Sequence, residues 1–110
     1  MNAGPVEVAR AIQGRIKESK ALRDTLPVLG DADVSAELRY DVACGLAQDA
    51  LKEAGTPMAM MKMAVKNECA QERKTFLMAE KKWKTALIVL DSIHNEMNAC
   101  QSINRHLSHT

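Results

Sequence analysis

Large aromatic side chains are almost missing from this chain: Tyr40, Phe76 and Trp83 are the only ones. No stretch alternates apolar and polar residues long enough to read as a strand, which excludes a half-buried sheet. Ala, Leu and Met fill the apolar positions instead, and these are strong helix formers. The class expected is all-α.

Other absences narrow the function. No Cys-x-x-Cys occurs, and the three cysteines, Cys44, Cys69 and Cys100, are far apart and odd in number. That excludes a disulfide framework and suits thiols packed as small hydrophobes in a reducing compartment. No apolar run approaches the roughly 18 residues needed to cross a bilayer. The N-terminus lacks the apolar core of a secretory leader. A soluble, cytoplasmic protein without membrane contact is expected. The formal net charge of +1 argues against gross attraction to nucleic acid or lipid. Gly-rich loops are missing, and Ser, His and acidic residues show no informative spacing. Catalysis needs convergent nucleophile, base and oxyanion donors, so no catalytic residues, no cofactor and no enzyme activity are expected.

What is present begins at Thr56. After Pro57 the chain holds no Gly and no Pro. Thr56 and Pro57 read as a helix start, with Thr as cap and Pro in the first turn. From Phe76 the apolar positions step by three and four: Phe76, Ala79, Trp83, Ala86, Leu90, Ile93, Met97, Cys100, Asn104 and Leu107. This heptad-like spacing keeps one stripe on one face of a helix, and Leu87 and Val89 widen it. One helix over 57–107 is predicted, with Lys66-Asn67-Glu68 as its softest point.

Two shorter helices are predicted ahead of it. The first spans 5–26, with Val8 or Ala9, Ile12, Ile16, Leu22 and Leu26 on its apolar side. Pro27 ends it, because a residue before proline is pushed out of the helical region. Val28 and Leu29 form a link, and Gly30-Asp31 is the turn. The second helix spans 32–54, with Gly55 as a left-handed cap. Its inward face is small: Ala36, Tyr40, Ala43, Ala47, Ala50 or Leu51, and Ala54. Gly45 on this helix reads as packing or a slight bend. Between Asp31 and Gly55 acidic residues outnumber Arg39 and Lys52, whereas Lys and Arg dominate from Lys62 to Lys84. That favours an antiparallel hairpin of the second and third helices. The whole chain, 1–110, is read as one helical domain.

At about 1.5 Å per residue the third helix would extend roughly 75 Å, more than two helices of this length can cover. A second copy of the chain is the expected cover, giving a dimeric helical bundle. The interface residues expected are Phe76, Trp83, Leu87, Leu90, Ile93, Met97 and Leu107. Asn104 either fixes register against its symmetry mate or marks the fraying end.

Three clusters compete with plain packing. Met58, Met60, Met61 and Met63 carry soft thioethers, but on a helix they point in different directions; adaptable packing is the stronger reading. Cys100, His106 and His109 lie close in sequence without a full zinc ligand set, so no metal is expected. His94, beside the stripe, reads as a satisfied, partly buried histidine. Arg73, Lys74, Lys81, Lys82 and Lys84 surround Phe76 and Trp83. Cations with aromatic platforms suit nucleic acid, so phosphate contact there is the second reading.

The segment YDVACGLAQDALKEAGTPMAMMKMAVKNECAQERKTFLMAEKKWKTA, Tyr40 to Ala86, resembles short all-helical accessory proteins of tailed bacteriophages and prophages. The shared pattern is an Ala-rich helix, a turn near a Gly, and a long charged helix in which Ala79-Glu80 precedes Trp83. The resemblance implies a phage helper or inhibitor that works by binding protein, and it transfers no functional residue. The function expected is therefore a non-enzymatic, self-associating helical protein acting on another macromolecule.

Overall fold

The computed structural model describes residues 4–108, apart from the side chains of residues 104 and 108. Helix α1 spans Pro5–Glu53, α2 spans Met58–Glu68 and α3 spans Ala70–Ser108. Among the described residues there is no strand, so the protein is all-α. The expectations for the Asn104 side chain and for His109 lie outside the described residues.

Contacts gather the chain into two units, residues 1–27 with 84–110, and residues 28–83. In the first, Arg15 meets Glu96 and Ser19 meets His94, so α1 and α3 run antiparallel there. In the second, Gly30 lies against Trp83 and the Tyr40 ring stacks on Phe76 at 6.0 Å between centroids. That pairing is antiparallel as well.

The expected break at Pro27 is absent. Residues 5–26 and 32–53 belong to one helix, with Pro27 inside it and Gly30-Asp31 helical rather than a turn. The physical reason is the spacing of the seam. Leu22, Leu26, Leu29, Asp33, Ala36 and Tyr40 step four, three, four, three, four, and each is at least half buried. Stopping at Pro27 would forfeit that burial on one side. Pro27 and Arg23 are both exposed, so the turn in which the Arg23 carbonyl loses its amide partner lies on the outer side of the helix. Nearby, the Thr25 hydroxyl donates to the Leu22 carbonyl at 2.7 Å. Val28 is exposed on the helix rather than tucked into a link. Gly30 is the place where a ring comes close: a Cβ there would sit 3.3 Å from the Trp83 indole.

The inward face of the first part of α1 also differs. Ile16 is turned outward, and Arg15 and Ser19 occupy the seam between Ile12 and Leu22. Later in α1 most of the expected small-residue face is found, with Ala36 buried and Tyr40, Ala43, Ala47 and Leu51 half-buried, whereas Ala54 is exposed beyond the end of the helix.

α1 closes in a Schellman arrangement. Gly55 has φ +79, the Thr56 amide donates to the Leu51 carbonyl at 3.0 Å, and the Gly55 amide donates to Lys52 at 3.1 Å. Thr56 does not cap α2. Pro57 holds the cap position at φ −61 and ψ 143, without a side-chain cap hydrogen bond, and α2 starts at Met58. The long C-terminal helix is interrupted once, at Cys69, two residues from the centre of the expected soft point. The seam there runs Met61, Val65, Cys69, Glu72, with two successive steps of four. An extra step of four turns a stripe by about 40°, and the irregular backbone of Cys69 (φ −103, ψ 16) absorbs that phase change.

Candidate interaction surfaces

The stripe expected to bind a second chain faces α1 instead. Phe76 stacks on Tyr40, and Trp83 lies on Gly30. Ala86 and Ile93 are buried, and Leu90, Met97 and Leu107 are half-buried along the same seam of α3. Leu87 sits on the flank at 40% exposure. The premise that the rod has no counterpart in its own chain is thus corrected. α1 runs for 49 residues, about twice the length expected of either N-terminal helix.

Polar groups punctuate this seam, and composition gave no hint of where. Ser19 has no exposed surface, and its hydroxyl lies 3.3 Å from Nε2 of His94. His94 thus has a partner, but the residue is exposed rather than partly buried as expected. A serine next to a histidine has the makings of a nucleophile, but a fully enclosed hydroxyl is out of a substrate's reach. Arg15 Nε meets Glu96 at 2.7 Å across the helices, while its NH1 meets Glu18 at 2.8 Å within α1. In the other unit, one oxygen of Asp33 and one of Glu72 are buried without a hydrogen-bond partner. Seam spacing carried forward from Leu22 would have located Asp33, and seam spacing carried backward from Phe76 would have located Glu72.

Tyr40, Cys44 and Cys69 form a further group. Burial pushes the Cys69 thiol above its ordinary value, and the neighbouring Cys44 adds to the effect. The Tyr40 hydroxyl is raised too, first by its hydrogen bond with Cys44 and then by desolvation. All three cysteines are free thiols.

The outer faces carry the features that sequence reasoning missed. Val34, Leu38, Val42 and Leu46 of α1 are all more than half exposed. They recur every fourth residue, so they form one ridge on the side of the helix away from Tyr40 and Ala36. Asp31 and Asp49 are exposed on the same side, with Asp41 and Arg39 exposed on its two edges. On α2 and α3 an open groove of about 540 Å³ is lined by Leu77 and Met78 together with Lys66, Arg73, Lys74 and Lys81. Of the cations expected to touch phosphate, Arg73, Lys74 and Lys81 therefore line one groove. Lys82 lies by a neighbouring depression with Val28 and Met78. Lys84 belongs to the other unit. The aromatic platforms that this reading needs, Phe76 and Trp83, are turned into the seam.

Met58, Met60 and Met63 are exposed, at 80%, 62% and 71%, and Met61 is buried. The four do not converge, as their helical directions require. Among the described residues no group of three His, Cys, Asp or Glu side chains comes together as a metal site. No helix among them is long and apolar enough to cross a membrane.

No family model, no curated protein and no solved structure matches the chain.

Proposed function

We propose that this protein is a non-enzymatic helical interaction protein of the cytoplasm, a coiled-coil-like hairpin that self-associates and binds another macromolecule. One observation supports it above the others. Aliphatic and methionine side chains stand exposed on outer faces of both long helices after the seam between them is filled. Contiguous apolar surface of this kind marks binding sites in soluble proteins. A two-helix unit has one seam and no third layer, so these residues find no cover within it. Cover by a second copy would give the smallest form of a dimeric helical bundle. The resemblance to phage accessory proteins suggests a helper or inhibitor role for it.

Sedimentation velocity across micromolar concentrations tests this reading. Association that strengthens with concentration is expected. A single species of 12.1 kDa throughout would overturn it.

A second reading has the groove cations in its favour. Arg73, Lys74 and Lys81 are exposed around one concavity and suit a phosphate backbone. A gel shift at low salt separates the two, since nucleic-acid binding must weaken steeply as salt is added. The lost stacking platforms make this the weaker reading.

A further inference from the structure

We propose that copies of this chain join head to tail, the acidic ridge of α1 in one copy lying in the basic groove of α2 and α3 in the next. The inference rests on the self-association reading above and names the surfaces that carry it.

The shapes correspond. Val34, Leu38, Val42 and Leu46 form a row at every fourth position. The groove is lined by two rows of α3 of the same kind, Ala70, Lys74 and Met78, and Arg73, Leu77 and Lys81, with Lys66 of α2 at its end. A ridge of fourth-position side chains packs into a groove between fourth-position rows, the commonest way helices meet. Gly45 lies on the ridge face with nothing within 4 Å of where a Cβ would be, which lets a second backbone come close.

The charges correspond as well. Asp31 and Asp49 are exposed on the ridge face, Asp41 and Arg39 stand exposed on its two edges, and Lys52 follows at its end. Lys66, Arg73, Lys74 and Lys81 line the groove. Each surface repels its own kind, so ridge-to-ridge and groove-to-groove pairing are disfavoured while ridge-to-groove pairing is favoured. Leu77 and Met78, about half exposed, give the ridge leucines and valines apolar side chains to meet.

The direction of growth follows from the fold. Tyr40 and Phe76 face each other across the seam, so the outer sides of α1 and α3 face opposite ways. A molecule cannot fill its own groove. When one copy docks, its own groove and its neighbour's ridge both stay open. The contact is heterologous, and it extends beyond two copies unless a rotation closes it into a ring.

Mixing two variants tests this. Leu38→Asp breaks the ridge, and Lys74→Glu with Lys81→Glu turns the groove acidic. Both alter exposed positions, and circular dichroism checks that each stays helical. Val42→Asp replaces Leu38→Asp if that chain fails to fold. By sedimentation, the wild type should pass through two copies to larger species, and added salt should weaken it. Each variant alone should associate at least tenfold more weakly. An equimolar mixture should yield one species of two chains and nothing larger, because only one good ridge and one good groove remain. A mixture that stays monomeric, a wild type that stops at two copies, or variants that assemble like the wild type would each overturn the head-to-tail arrangement. In the last two cases self-association survives by another surface. A wild type that is monomeric at every concentration removes both.

Discussion

Proline 27 offers a test whose sign depends on the fold. Read as the end of a helix, Pro27 would be favourable where it stands, and Pro27→Ala would cost about 0.4–1 kcal/mol through the unfolded chain. Inside α1 the effect reverses. Alanine restores an amide that can donate to the Arg23 carbonyl, and it removes the ring from the turn before it. The full host value for proline in a helix interior is about 3 kcal/mol. Here Pro27 and Arg23 both face solvent, so water already satisfies part of what the missing amide leaves, and a gain of about 1–3 kcal/mol is expected. For a chain of this size that is roughly 4 °C in Tm for each kcal/mol. Pro57 is the control. It sits at the cap of α2 with φ −61, a conformation it adopts without strain, so Pro57→Ala should lower stability slightly. Urea unfolding followed by circular dichroism measures both. If Pro27→Ala left the midpoint unchanged or lowered it, α1 would not be continuous and the reasoning about the seam would fail.

Three further outcomes follow from the packing. Gly30→Leu should destabilise by about 1–3 kcal/mol, because the added side chain meets the Trp83 ring, whereas Gly14→Ala, in open space, should stabilise by about 0.5–1 kcal/mol; chemical denaturation compares them. Ile93→Asp should lower stability by several kcal/mol, since it places an unpaired carboxylate in the seam against α1, and equal stability by urea titration would remove Ile93 from the core. Stability should also fall as the solution is made alkaline. The Cys69 thiol is held above its ordinary 9.0 in the folded chain, so the unfolded chain loses its proton first and gains on the folded one as pH rises past that value. Cys69→Ala should flatten the decline in the urea midpoint between pH 8 and 10.

Much of the architecture was legible in local patterns. Ala, Leu and Met without strand alternation mean helices, and the step of three and four from Phe76 marked the inward face of α3. Gly55 is a left-handed cap because only a residue without Cβ adopts that φ freely, and the chain around it says as much. The interruption near Asn67 was visible as a lapse in the stripe. The same stepping also ran through Leu22, Leu26, Leu29 and Asp33, past Pro27, but a proline is a strong local signal and the seam a weak distributed one.

What the tertiary structure decided is which signal prevails. Proline's penalty is a fixed local amount, while burial accumulates along every turn that finds a partner helix, and only the folded chain reveals that α3 supplies such partners on both sides of Pro27. The same holds for the surfaces. Periodicity tells which residues share a face, but whether Phe76 and Trp83 meet a second copy or their own α1 depends on how far α1 continues. Its full 49 residues give that stripe neighbours within the chain, with the ridge and the groove exposed on the outer sides.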